Sequence, residues 1–270
     1  MHTEGADMPH PEHDAVAAAL HMAYEEPYEP MGWAADRRPF GIYRRNTKAA
    51  TYPNVIVRDV STADVPAFIR DVRRFYAESK LPARIVIDSR DVDAVLGPAL
   101  VGAGLRADER TVFLAHVGDI PVERETPGVR IEVVPRGGLF EYEDTRWRAF
   151  ENTEEPAPPE TLAWRVNLRR AEMDGGAHYW LARADGQPAA VMGWYQGEDR
   201  VVFSLGTRVP FRNRGIARLM LTRLLAQSRE AGTRAVIISA DENDTPVRLY
   251  KRLGFTDELY WRATYELVLG

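Results

Sequence analysis

The spacing of apolar residues changes period repeatedly along the chain, and each change predicts an element. In the first half, NVIVRDV at 54–60 is a mostly apolar run of strand length. From Ser61 to Ser79, Val65, Phe68, Ile69, Val72 and Phe75 recur at helical spacing, with Ser61 and Asp64 as candidate caps. ARIVID at 83–88 predicts a buried strand, VDAVLGPALVGAGL a helix interrupted or ended by its glycines and proline, and TVFLAHV a further strand. Upstream lie a short helical pattern from His13 to Tyr24 and a stretch rich in Pro, Gly and Arg that predicts a loop.

Periodicity lapses over DIPVERETPGV, which predicts a linker at 121–128 between a domain over 1–120 and a second over 129–270. Beyond it VRIEVVP predicts a strand, Gly138 to Ala149 a helix, ENTEEPAPPE a loop and Thr161 to Met173 a second helix. HYWLARA and PAAVMGWYQ flank the turn Asp185-Gly186, and RVVFSLGT completes a three-strand meander. A long amphipathic helix ended by Gly232 follows, then the strand AVIISA, a helix from about Thr245 to Leu253, and a final strand pair around LYWRATYELVL. Both halves therefore contain strand, helix, strand, helix, strand, so the first half reads as an abbreviated copy of the second. The fold class expected is α/β, with a mixed α+β sheet.

Composition narrows the setting. A chain of 270 residues that is 45% hydrophobic can build one large core or two smaller ones. A formal charge of -5 gives no electrostatic reason to expect nucleic acid or an anionic membrane as partner. The absence of cysteine excludes thiol nucleophiles, cysteine zinc sites and disulfides. The start, MHTEGADMPHPEHDA, is polar and acidic rather than a signal peptide, and no run is long enough to span a bilayer, so a cytoplasmic location is expected. No metal is expected: His10 and His13 lie in a polar start expected to be flexible, and His116 and His178 stand alone in strand patterns. Gly102 and Gly104 make only a partial G-x-G-x-x-A, after a helix rather than a strand, which is a chance match.

The chemistry concentrates where RVVFSLGT breaks into Arg212-Asn213-Arg214-Gly215-Ile216-Ala217 and resumes as a helix. A helix N-terminus presents unpaired N–H groups and the positive end of its dipole, so a strand feeding into one makes an anion cradle. Gly215 removes the side chain that would hold a phosphate off the backbone, and Ala217 allows close packing on the sheet. Arg212 and Arg214 can add charge-assisted contacts, while Arg218, Arg223 and Arg229 are expected to point elsewhere. The spacing fits neither G-x-x-x-x-G-K-[ST] nor G-x-G-x-x-G, and a diphosphate is the expected anion.

These residues resemble the GNAT superfamily of acyl-CoA-dependent N-acyltransferases. Arg212, Gly215 and Ala217 are similar to its R/Q-x-x-G-x-G/A signature, and Asn243, Leu249, Tyr250, Gly254 and Phe255 to its second element, an Asn before a helix ending LY-x-x-x-GF. The resemblance covers roughly Val129 to Gly270. Residues 54–117 resemble only the back half of that fold and lack R-x-x-G-x-A, which implies a tandem arrangement with an incomplete, non-catalytic N-terminal copy. The resemblance implies acetyl-CoA as co-substrate, its pyrophosphate held by the backbone from Asn213 through Arg214, Gly215 and Ile216 to Ala217, with Asn243 also at the cofactor. It implies a pantetheine cleft between RVVFSLGT and AVIISA, backbone groups of Leu205, Gly206 and Thr207 at the thioester, and Tyr250 as the acid that protonates the leaving thiolate.

Three positions depart from the family pattern. Pro246 stands where many members have Ala, which a helix tolerates in its first turn. Val209 precedes Pro210, one step later than the usual proline. No carboxylate lies on RVVFSLGT, where Ser204 is the nearest polar side chain, so deprotonation needs a water chain or a carboxylate such as Glu151, Glu154 or Glu155. The reading is an acetyltransferase acting on a primary amine of a small molecule. A protein amine, a longer acyl chain or a non-catalytic acyl-CoA-binding module are the alternatives, and a homodimer is left open. Trp180, Trp194 and Tyr195 could line an aromatic acceptor pocket, although alternate residues in a half-buried meander usually form core.

Overall fold

A computed structural model describes residues 33–46, 53–123 and 125–269. The helical pattern at His13 to Tyr24 and both N-terminal histidines lie outside them. Two compact units are distinguished: one takes the chain up to Phe113 together with Asp241–Asn243 and the residues from Glu258 on, the other Leu114–Ala240 and Asp244–Asp257.

The first unit contains β1 (Trp33–Arg38), β2 (Gly41–Asn46), β3 (Asn54–Val57), α1 (Val65–Phe75), β4 (Ala83–Ile87) and α2 (Arg90–Gly102). It also holds most of β5 (Arg106–His116) and of the last strand, β11 (Phe255–Leu267). Strand neighbours run β1-β2-β3-β4-β11-β5, with β3 and β4 parallel and β4 and β11 antiparallel. Val65, Phe68, Ile69 and Val72 form the buried stripe of α1, as their spacing requires. The stretch expected to be a loop holds the hairpin β1–β2, with Ala34 opposite Arg45 and Arg38 opposite Gly41. Arginine hid the alternation: Arg44 is buried, and Arg38 is drawn to buried Asp71 by two hydrogen bonds of 3.1 and 2.9 Å.

Three further expectations are corrected here. Helix α2 runs unbroken through Gly97 and Pro98, because burial of Leu96 and Leu100 on either side outweighs the local propensity of Gly and Pro. Strand β5 begins at Arg106, its polar first half being exposed. The final strand pair is one thirteen-residue strand, β11, which alternates buried and exposed positions only in part.

The second unit contains β6 (Val129–Val133), α3 (Leu139–Phe150), α4 (Pro159–Asp174), β7 (Ala177–Ala184), β8 (Gln187–Gln196), β9 (Arg200–Thr207), α5 (Ile216–Glu230), β10 (Val236–Asp241) and α6 (Thr245–Arg252), Asp241 itself falling in the first unit. Neighbours run β10-β9-β8-β7-β6, antiparallel except for β9 and β10. The β7–β8 turn has Asp185 and Gly186 at φ 52° and 80°, the pair of left-handed residues that matches strand twist. Leu139, Tyr142, Val166, Tyr179 and Val191 join α3, α4 and the meander in one core. Trp180 and Trp194 are buried edge to face at 4.7 Å and belong to the core, and Tyr195 packs on Phe203.

Candidate functional site

The site begins with a defect in the sheet. Opposite β8, Gly193 pairs with Ser204 but Trp194 with Val202, so Phe203 is an extra residue in β9, a bulge. On the other side the parallel ladder joins Arg200, Val201 and Val202 to Val236, Ile237 and Ile238 and goes no further, although β9 continues to Thr207 and β10 to Asp241. A bulge bends its strand and ends pairing locally, so the two strands part beyond Val202 and Ile238. The edge of β9 that faces β10 is left without a strand partner from there on, and its peptide groups are available to a ligand.

At the end of β9 the chain makes a short 3-10 turn, Val209–Phe211, before α5. Asn213 and Gly215 then take left-handed φ values of 62° and 79°. Glycine carries no steric penalty there, and Asn is among the side chains that tolerate it best. A Cβ at Gly215 would meet only Thr126 Oγ1 at 3.8 Å, so the glycine is required by its backbone angle and not by crowding. Helix α5 starts at buried Ile216 with no acidic residue in its first turn, leaving its first N–H groups unclaimed by a carboxylate of its own.

A cavity of about 780 Å³ occupies this place. The end of β9, the turn into α5, the end of α3 and helix α6 form its walls. Leu205, Gly206, Thr207, Arg212, Asn213, Gly215, Ile216, Ala217 and Tyr250 are brought together there, as is Arg218, which was expected to point elsewhere. Gly206 matters by absence: a Cβ would meet the Phe150 ring at 2.7 Å and the Ala149 methyl at 3.1 Å, so only glycine lets β9 approach α3 this closely. Three expected site residues are not in the walls. Ser204 is buried and accepts from Arg146 Nε at 3.3 Å, Arg214 pairs with Asp185 at 2.9 Å, and Asn243 is exposed, its N–H bonded to Asp241 at 2.9 Å.

Arg212 is anchored to protein: its guanidinium donates to Thr207 O, Ala149 O and Asn152 Oδ1 at 3.0, 2.9 and 2.5 Å. It ties the end of β9 to the end of α3 and so holds the mouth of the cavity in shape. Asp244 caps α6 by accepting from Thr245 N–H at 2.6 Å, and Pro246 occupies the first turn of that helix, where its missing donor costs nothing. Tyr250 is buried, and desolvation, with the Asp244 charge adding to it, pushes its phenol well above the ordinary tyrosine range. A neutral phenol can donate a proton but cannot act as a base near neutrality. Of the candidate carboxylates, Glu154 pairs with Arg208, and neither it, Glu151 nor Glu155 lines the cavity.

A charged cluster that sequence reasoning missed lies beside Ser204. Glu143, fully buried on α3, accepts from Arg169 Nε at 2.6 Å. Arg169 also pairs with Glu172, whose Oε2 accepts from the Tyr179 hydroxyl at 2.5 Å. Arg146 and Arg165 approach the other Glu143 oxygen only to 3.9 and 4.0 Å. Burial lowers the Arg146 pKa; the Glu143 charge opposes this, and repulsion from Arg169 and Arg165 adds to it. Charged residues at 143, 146, 165 and 169 look in sequence like solvated helix faces, and only their i, i+3 and i, i+4 alternation with Tyr142, Trp147 and Val166 signalled anything else.

Among the described residues no group of three or more His, Asp or Glu could hold a metal ion, and no helix is long and apolar enough to cross a membrane. The model of the Acetyltransferase (GNAT) family matches residues 139–255, which span the meander, the glycine-opened helix and Tyr250. Solved structures of the same fold include a GCN5-related N-acetyltransferase from Kribbella flavida, at 18% identity and TM-score 0.64 over 94% of this chain and 95% of that one. Another from Sphaerobacter thermophilus gives 16% and 0.61 over 84% and 76%. A tandem GNAT protein from the clavulanic acid biosynthesis pathway gives 12% and 0.59 over 99% and 91%. At these identities the likeness is one of fold, and it extends over the first half of the chain as well as the second.

Proposed function

Because residues 139–255 match the model of the acetyltransferase (GNAT) family, we propose that this chain moves an acetyl group from acetyl-CoA to a primary amine of a small molecule. The observation that carries the reading is one cavity whose walls include the N-terminus of α5, the parted end of β9 and buried Tyr250. These are the three things a long thioester with a diphosphate needs: an anion cradle, a backbone edge for an extended amide-bearing arm, and a proton donor at the sulfur.

In this scheme the backbone from Asn213 to Ala217 holds the diphosphate and the peptide groups of Leu205 to Thr207 orient the thioester carbonyl. The amine nitrogen attacks that carbonyl carbon, the C–N bond forms, and negative charge gathers on oxygen, where N–H donors stabilise it most. Collapse breaks the C–S bond, and the departing thiolate takes the proton of Tyr250, which solvent then returns to the phenolate. The amine proton leaves through water, since among the described residues the one carboxylate in the cavity walls is Asp244, which is already committed to capping α6. On this reading the chemistry belongs to the region from 129 onward.

Calorimetric titration with acetyl-CoA, repeated on Gly215→Val, tests the cofactor half of the reading. A β-branched residue at φ 79° is strained by about 1–2 kcal/mol and projects into the cradle, so binding weakens at least about tenfold. Acetyl-CoA that binds wild type and variant equally places the cofactor elsewhere. Thiol release with a panel of amines tests the transfer itself.

A further inference from the structure

The cluster beside Ser204 is unbalanced. Three guanidiniums, from Arg146, Arg165 and Arg169, face two carboxylates, from Glu143 and Glu172, and both short guanidinium contacts to those carboxylates belong to Arg169. Arg165 Nε and Glu143 Oε2 are buried and have no hydrogen-bond partner among the described residues. Leaving buried charge unpaired is among the costliest arrangements a fold can keep, and where it persists a ligand is a physical reason for it. One unneutralised positive charge calls for a monoanion.

The position of the cluster says which molecule would bring that anion. Arg146 lies over the Phe150 ring at 4.7 Å, and Phe150 is itself in the cavity wall. The same guanidinium donates to Ser204, the residue before Leu205, where β9 has parted from β10. Arg165 lies over Trp147 at 5.5 Å, one helical turn from Phe150. The side chains of Arg146 and Arg165 keep 19% and 21% of their exposure, so neither is sealed off. The cluster therefore borders the parted end of β9, where the attacking nitrogen has to arrive, rather than the helix N-terminus that serves the diphosphate.

We propose that Arg146 and Arg165 form a carboxylate subsite, and that the acceptor is an amine that also carries a carboxylate, as an amino acid does. Planar guanidiniums that already lie over Trp147 and Phe150 present a fork geometry that suits a planar carboxylate. Arg169 serves differently, since it is held between Glu143 and Glu172. The assignment rests on the amine-acetylating function proposed above.

The test compares each acceptor with its own amide, which keeps the side chain and lacks the carboxylate charge, at a pH high enough that both amines are largely unprotonated. With acetyl-CoA as donor, wild type is expected to favour glycine, phenylalanine or glutamate over the corresponding amide by at least tenfold in kcat/KM for whichever side chain fits. In Arg165→Gln that preference collapses toward unity, while the acetyl-CoA Kd stays where it was. Equal use of acid and amide by wild type overturns the subsite while leaving the transferase reading intact. If no amine is acetylated, binding of N-acetylglycine against N-acetylglycinamide, followed by quenching of Trp147 beneath Arg165 with Trp147→Phe as the blank, decides the subsite separately. Selective binding of the acid supports it, and binding of both or neither sinks it.

Discussion

Among the described residues two crossovers run strand, helix, adjacent parallel strand, and they differ in how far their ladders stay closed. In β3–α1–β4 the ladder pairs Asn54, Val55 and Ile56 with Arg84, Ile85 and Val86, so it stays closed to within one residue of the end of β3. Arg58 then clamps Asp88 through hydrogen bonds of 3.0 and 2.7 Å. The helix approach is occupied by the chain's own carboxylate, since Asp64 Oδ2 accepts from Ser61 N–H at 3.1 Å and from its hydroxyl at 2.5 Å. In β9–α5–β10 the ladder stops at Val202 while β9 runs on, a bulge at Phe203 turns the strand, and α5 opens on a left-handed glycine with no acid in its first turn. The topology is common to both. What separates a stabilising crossover from a binding one is whether the ladder and the helix N-terminus are satisfied by protein or left for a ligand.

If the second crossover works as chemistry and the first as scaffold, the largest effect of a conservative change should come from Tyr250. Tyr250→Phe removes one oxygen from a buried ring that also packs against Phe255 at 6.2 Å. Turnover is expected to fall by about a hundredfold, within the range typical of a lost general acid, with acetyl-CoA affinity preserved. Because burial and Asp244 hold the phenol above its ordinary range, the wild-type rate should show no loss from this group until strongly alkaline pH. A variant that turns over like wild type would remove Tyr250 from the reaction and leave the cavity a binding site only.

The first unit should be exposed through stability instead. Asp71 on α1 accepts from Arg38 and from Arg74, which holds its carboxyl down at about 2. A depressed carboxylate contributes stability that is complete above its unfolded pKa and is lost as pH falls toward the folded one. The window here therefore runs from about pH 4 down to about pH 2, and the contribution is about 2 kcal/mol. Acid denaturation of wild type against Asp71→Asn measures it: the variant should be less stable at neutral pH and show a smaller loss through that window. Equal acid sensitivity in the two proteins would mean that the pair with Arg38 is worth no more than an exposed ion pair.

Legibility in the sequence followed how local each device is. The strands of the meander, the Asp185-Gly186 turn, the bounds of β9 and the glycine before α5 are specified by residues within a few positions of one another. They read correctly from spacing and turn chemistry. The bulge at Phe203 did not, because it is a relation between Gly193 and Ser204 on separate strands. Hairpin β1–β2 was hidden since Arg38 finds Asp71 far along the chain, and β11 was divided in two because its length is set by neighbouring strands rather than by its own alternation. The Glu143 cluster escaped for the same reason as the hairpin: a buried charge is recognisable only from its partners.

The finest test exchanges the two helix starts. Ala217 is half-buried in the first turn of α5, in the wall of the cavity and in a first turn that lacks any carboxylate. Ala217→Asp gives α5 what the first crossover already has, an acidic group at the positive end of the helix. By itself that is favourable to the helix by about 0.3–1 kcal/mol, so the melting temperature should hold or rise slightly. A bound diphosphate would meet a like charge in the place where it needs N–H donors, so acetyl-CoA affinity should fall by about tenfold and recover in part at high salt. Stability and affinity moving in opposite directions is the signature of a helix N-terminus kept free of carboxylates for a ligand. If both fall together the substitution has merely disturbed packing, and if affinity is unchanged the anion does not bind at α5.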